Sequence, residues 1–92
     1  MYIVDSTKAY RKAYKRVSKH RDFSRQVLEE IINTLARGER LPVRYHDHHL
    51  TGELKEYREC HVKNDILLMY QKYENVLVLL LVDLGTHDDL FH

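Results

Sequence analysis

Residues 45–52 read YHDHHLTG, and three of the chain's seven histidines, His46, His48 and His49, fall within four of those positions. Such a collection of imidazoles admits three readings: a metal site, a proton-transfer site, or a solvated loop in which histidine has no special task. Zinc needs three or four ligands. His46, His48, His49, Cys60 and His61 qualify by type, but the chain has no CxxC and no HExxH. Neighbours on a strand, such as Cys60 and His61, point to opposite faces. The expectation is therefore no metal and no cofactor. Proton transfer asks for less. Histidine changes charge near neutral pH, so a pair can serve as base and acid together. RNA carries its own nucleophile, the 2′-hydroxyl. A base takes its proton, the oxygen attacks the adjacent phosphorus, and an acid protonates the departing 5′-oxygen. Cations can stabilise the crowded phosphate oxygens in place of a metal. On a strand over 58–62, Glu59 and His61 share one face, and Arg58, Cys60 and Val62 the other. Lys63 extends the His61 side if the strand runs on. A histidine beside a lysine on an open sheet face suits phosphate chemistry; the plainer alternative makes His61 a surface cross-strand partner.

Helices and strands must position these groups. YIV at 2–4 suits a short strand, and Ser6 can cap a helix after it. Tyr10, Ala13, Tyr14 and Val17 recur at helical spacing with Lys and Arg on the other side. Asp22 or Ser24 can cap a second helix, striped by Val27, Leu28, Ile31, Ile32 and Leu35 and ended by Gly38. Residues 38–52, with the single Pro42, read as a loop. The period then becomes two. LKEYRECHV (54–62) predicts a strand bent near Glu56, ILLMYQ (66–71) a second, and VLVLLLV (76–82) a central strand apolar on both faces. Lys63-Asn64-Asp65 and Tyr73-Glu74-Asn75 supply the turns, and a glycine hinge opens the tail GTHDDLFH. The order β-α-α-β-β-β predicts one α+β domain over residues 1–92. Its sheet is antiparallel among the later strands, with both helices packed on one face and the opposite face, or its rim, open.

Composition agrees with a globular chain: 43% hydrophobic and 32% charged residues. No apolar run approaches the ~20 residues needed to span a bilayer, and the start MYIVDSTKAYRK has no signal-peptide pattern. A cytoplasmic location and no membrane partner are expected. Cys60, the only cysteine, permits no intrachain disulfide and reads as a buried small apolar residue. Charge is uneven. Residues 1–63 hold 14 Lys and Arg against 9 Asp and Glu, whereas residues 64–92 hold Lys72 against 5 acids. The basic first helix could meet nucleic acid or an acidic protein, or could be a solvated surface.

The stretch DHHLTGELKEYRECHVKNDILLMY, followed by LGTHDDLF, resembles the YafQ branch of the RelE superfamily of toxins. That branch carries a pattern close to DHxLxGxxKxYRxxHxxxDxxLxY and then GTHxxLF. The resemblance runs nearly position for position from Asp47 to Phe91. It implies a RelE-like fold and a toxin of a type II toxin–antitoxin system, acting as a ribosome-dependent endoribonuclease on mRNA by metal-independent acid/base catalysis. A non-catalytic module of the same fold, binding an antitoxin-like partner or RNA, is the alternative. The implied catalytic residues are His48, His61, Asp65, His87 and Phe91: three histidines to move or hold protons, an aspartate to orient an imidazole, and a ring on which an unstacked base could rest. Lys55, Arg58 and Lys63 are placed to meet phosphates, and the basic first helix to hold rRNA. The implied partners are a cognate DinJ/RelB-like antitoxin in a heterotetramer, the ribosome and its mRNA, and operator DNA through the antitoxin. Asp47 belongs to the motif and is expected to fix the loop through its backbone. Leu50 is expected to anchor that loop, Gly52 to permit its turn, and Tyr57 and Tyr70 to pack. His49 occupies a position that the pattern leaves free, His46 lies outside it, and both read as incidental; His20 and His92 receive no role.

Overall fold

The computed structural model describes residues 1–91; His92 lies outside the described residues. β1 (Ile3–Ser6) leads into α1 (Lys8–Val17). The helix is capped by Thr7 and not by Ser6, because Ser6 is still paired with Leu81 in the sheet. The Thr7 hydroxyl oxygen accepts the Tyr10 N–H at 2.9 Å and donates its proton to the Val82 carbonyl at 2.6 Å. One side chain thus satisfies an orphan helix donor and ties the helix start to the sheet. Tyr10, Ala13 and Val17 face inward, as the helical period predicts. Ser24, one of the two expected caps, starts α2 (Arg25–Ala36) by accepting the Val27 N–H at 3.2 Å. Leu28, Ile31, Leu35 and Ala36 are its buried stripe. Beyond it Gly38 takes a positive φ of 78°, the left-handed conformation that ends many helices.

The remaining strands are β2 (His48–His49), β3 (Arg58–Lys63), β4 (Ile66–Tyr73) and β5 (Val78–Gly85), followed by a short α3 (His87–Phe91). They form one sheet in the order β1-β5-β4-β3-β2, with β1 parallel to β5 and every other pair antiparallel. The helices and one sheet face enclose the core, in which Leu28, Ile31, Cys60, Leu68, Tyr70, Leu79 and Leu84 are at most 1% exposed. The α+β class, the helical hairpin and the antiparallel strands agree with expectation. Among the described residues, no helix is long and apolar enough to cross a membrane.

Four local expectations need correction. The predicted loop contains a two-residue strand, β2. The strand expected over 54–62 begins only at Arg58, because Gly52–Leu54 coils into a 3-10 turn and the Tyr57 N–H is taken by the Leu54 carbonyl. The strand expected over 76–82 spans 78–85, since Leu77 adopts a φ of 52° in the preceding turn. That strand is half-buried, not covered, at Val78, Leu80 and Val82. Its pairing with β4 slips between Met69 and Tyr70. The slip lets Leu84 turn inward with Leu79 and Leu81 and leaves Asp83 opposite Met69 on the far face. Finally, the tail after Gly85, which has no element in the expected β-α-α-β-β-β order, forms a third helix, α3.

Candidate active site

The face of the sheet away from the helices carries the residues with chemistry. On β3, Glu59 and His61 point to this face, with Cys60 and Val62 in the core behind them. β2 places His48 directly opposite Glu59, and its Nε2 lies 3.5 Å from Glu59 Oε1. The other ring nitrogen, Nδ1, lies 2.6 Å from the His46 carbonyl. A carbonyl only accepts, so Nδ1 must carry a proton. Nε2 faces a second acceptor, Glu59 Oε1, so the ring is held at both nitrogens. Glu59 is 6% exposed, and its Oε2 is buried with no protein partner.

His87 arrives from the other side of the sheet. β5 ends at Gly85, and α3 begins with a reciprocal cap. The Thr86 N–H donates to Asp89 Oδ2 at 2.9 Å, and the Asp89 N–H donates to Thr86 Oγ1 at 3.2 Å. A Cβ at position 85 would sit 2.7 Å from Asp89 Oδ2 and 2.9 Å from its Cβ, so glycine lets the cap close against the strand end. Phe91 lies one turn beyond His87, its ring 4.9 Å away centroid to centroid and tilted by 43°. Asp65 stands in the β3–β4 turn. Glu59, His61, Asp65 and His87, with Leu67 and Thr86, line one cavity of about 260 Å³.

Of the residues singled out in the sequence, His61, Asp65 and His87 therefore share a cavity, His48 touches it through Glu59, and the Phe91 ring lies tilted against His87. Lys63 sits next to His61 on the side away from His87, in a neighbouring cavity. Lys55 and Arg58 line a separate, larger groove of about 810 Å³ with Asp47 and His49. Arg58 is committed elsewhere: its Nη2 lies 3.4 Å from Asp47 Oδ2, and its Nε is 3.3 Å from the Tyr70 hydroxyl oxygen. Burial works against its charge, but the hydrogen bonds with Tyr70 and Asp47 outweigh burial and hold the guanidinium above its ordinary value. Tyr70 donates its hydroxyl proton to Asp47 Oδ1 at 2.5 Å. Burial first, then this bond to a carboxylate, pushes the phenol well above the usual tyrosine range. Asp47 thus fixes the loop through its side chain, not its backbone, and clasps it to β3 and β4.

Two residues were not recognised from the sequence. Glu59 could have been, because its parity with His61 puts both on one face. His46 carried no such signal. Its φ of 50° is left-handed, and that conformation brings its ring 5.1 Å from that of His61.

Among the described residues, no group of three or more His, Cys, Asp and Glu side chains is arranged to hold a metal ion.

Comparison with known proteins gives one family. A family model described as bacterial toxin of type II toxin–antitoxin system, YafQ, matches residues 2–92. A putative toxin YafQ from Haemophilus influenzae is 55% identical over 31 residues, which are 34% of this chain and 30% of that relative's length. A metal-bound toxin from Helicobacter pylori superposes with a TM-score of 0.90 at 38% identity, over 99% of this chain and 100% of the other. The Escherichia coli DinJ–YafQ complex matches with a TM-score of 0.87 at 27% identity, over 100% of both chains.

Proposed function

The chain belongs to the YafQ family of type II toxin–antitoxin toxins, and from that premise we propose that it is an endoribonuclease that cuts mRNA on the ribosome without a metal. The observation that carries this reading is the single cavity lined by Glu59, His61, Asp65 and His87, with His48 bound to Glu59 and Phe91 against His87. A phosphodiester lying between His61 and His87 has a proton acceptor on one side and a donor on the other. One imidazole takes the 2′-hydroxyl proton as that oxygen attacks phosphorus. The other gives a proton to the 5′-oxygen as its bond to phosphorus breaks. The products are a 2′,3′-cyclic phosphate and a free 5′-hydroxyl. His48, held between the His46 carbonyl and Glu59, stands beside this cavity and positions Glu59 at its edge. Asp65 orients an imidazole. Glu59 faces His48 Nε2 and fixes that ring beside the cavity. Phe91 stacks on the exposed base, an interaction worth about 1–3 kcal/mol.

Among the described residues no three donors are arranged for a metal, so the steps above are written with side chains alone, although the similar Helicobacter pylori toxin is metal-bound. Lys8, Arg11, Lys12, Lys15, Arg16 and Lys19 form an exposed basic surface on and beside α1, which serves to hold rRNA by a salt-dependent contact. The partner that silences the toxin is a cognate antitoxin, as in the Escherichia coli DinJ–YafQ complex. It is expected to form a heterotetramer and to carry the toxin to operator DNA in the bacterial cytoplasm.

The competing reading, a non-catalytic binding module, is separated by one experiment. Wild type and His87→Ala are expressed under induction and mRNA ends are mapped. Wild type should arrest growth and produce discrete new ends, while the variant does neither and still binds antitoxin. A variant as toxic as wild type would remove His87 from catalysis.

A further inference from the structure

Two cavities meet at His61 and Asn64, and their charges differ. The one described above is lined by Glu59, Asp65 and Asp88 and by no lysine or arginine. The other, about 440 Å³, is lined by Arg44, Tyr45, His46, Lys63 and the shared His61 and Asn64 over an apolar floor of Val27 and Val62, with no carboxylate among its lining residues. An RNA strand carries a negative charge at every phosphate, so its backbone on leaving the scissile position favours the second cavity over the first.

The cationic cavity is built by local conformation. Pro42 precedes the 3-10 turn Val43–Tyr45, and His46 ends it in the left-handed region, its N–H donating to the Val43 carbonyl at 2.9 Å. That conformation is uncommon for a residue with a side chain. It sets the His46 ring 5.1 Å from His61, while the His46 carbonyl receives the His48 Nδ1–H. Arg44 is steadied by Tyr45: its guanidinium carbon lies 4.7 Å above the ring, and one Nη2–H reaches the Tyr45 hydroxyl oxygen at 3.2 Å. The planar fork has five donors, enough to bond Tyr45 and an anion together. Lys63, also lining this cavity, is exposed.

We propose that Arg44, His46 and Lys63 form a second phosphate subsite, which binds the RNA backbone phosphate next to the one cleaved. His46 is then a binding residue and not an incidental histidine. This inference rests on the RNA-cleaving reading for its ligand, but its test does not depend on cleavage.

The full chain is titrated with a fully 2′-O-methylated trinucleotide, which lacks the nucleophile, and with inorganic phosphate as a simpler anion. The histidine Cε1–Hε1 resonances are followed by NMR, assigned with His46→Asn and His61→Gln. Asn tolerates the left-handed backbone, so His46→Asn keeps the turn. The His46 and His61 signals should move together with either probe. Arg44→Met, Lys63→Met and His46→Asn should each weaken trinucleotide binding about threefold or more, as expected for losing one phosphate contact. A trinucleotide that moves His87 but leaves His46 still, or that binds the Arg44→Met and Lys63→Met variants as tightly as wild type, overturns the subsite. Neither result touches the catalytic reading, which His87→Ala tests separately. Conversely, a fully toxic His87→Ala chain whose His46 signal still responds would retain the subsite and lose the chemistry.

Discussion

Removing the Tyr70 hydroxyl asks whether the histidine loop is held by a side-chain clasp. Tyr70 is 0% exposed, and its hydroxyl donates to Asp47 Oδ1 at 2.5 Å. A hydrogen bond to a charged group contributes about 1.5–3 kcal/mol. Arg58 adds less, because its side chain is 34% exposed and its contacts with Asp47 are 3.4 Å; a pair of that kind contributes roughly 1 kcal/mol at most. Tyr70→Phe should therefore cost about 1.5–3 kcal/mol. Asp47→Ala should cost roughly 2–4 kcal/mol, since it strands a buried hydroxyl and a half-buried guanidinium together. In a domain of this size each kcal/mol lowers the midpoint by about 4–8 °C, so thermal unfolding by circular dichroism resolves both. The double variant is decisive. Once Asp47 is gone the hydroxyl has lost its acceptor, so removing it adds little, and the two costs should fall short of additivity by about 1–3 kcal/mol. Costs that add to within ~0.5 kcal/mol would refute the clasp and return Asp47 to the backbone role expected from sequence.

Other outcomes follow from the same geometry. Glu59→Gln removes the charge that faces His48 Nε2 and keeps the side chain's shape; cleavage should fall by about tenfold or more. Stability should be unchanged or higher, because a buried carboxylate oxygen without a partner is costly; urea unfolding beside a cleavage assay reads both. Gly85→Ala drives a Cβ to 2.7 Å from Asp89 Oδ2, so the α3 cap must open and His87 must move. Cleavage should drop more steeply than the melting temperature, and a wild-type rate would mean that α3 is not placed by this contact. Alkaline stability tests the buried acids. Burial raises the Cys60 thiol from its usual 9.0, and burial with the neighbouring Tyr14 raises Tyr10 from 10.0 to about 12. A raised folded value means that the folded state holds its proton longer, so stability is full below the unfolded value and declines as pH rises past it. The decline should begin near 9.0 in wild type and nearer 10.0 in Cys60→Ala, measured as urea midpoints across pH.

Much of this fold was legible because its elements are amphipathic with clean periods. Tyr10, Ala13 and Val17 on α1, and Leu28, Ile31 and Leu35 on α2, point inward as their spacing requires. The motif's residues converge: His87 lies 26 positions from His61 and 22 from Asp65, yet one cavity joins them. What the sequence did not disclose depends on contacts between distant side chains and on local backbone choices. Arg58 carries the charge expected of a phosphate ligand, but its strand parity with Cys60 and Val62 turned it toward Asp47 and Tyr70. The inward turn of Leu84 needs the register slip in β4–β5, which no periodicity announces. His46 looked idle because a left-handed residue gives no pattern in sequence.

The distribution of charge around His61 bears on how RNA would be held under the proposed reading. A cavity with three carboxylates and no lysine or arginine repels a polyanion, and two or three nearby cations recover only part of that cost. Free RNA should therefore dwell there briefly. The exposed basic residues of α1 lie on a different element from the reacting groups, and the one that reaches α3, Arg16, is paired there with Asp89 at 3.7 Å. They can bind a large structured RNA that itself presents a strand to the cavity. Under the proposed reading, weak affinity at the cutting site with stronger affinity beside it would make cleavage depend on a scaffold. Holding the strand by the scaffold also converts an unfavourable encounter into a positioned one, and the reacting groups then need only to meet a phosphate already in place.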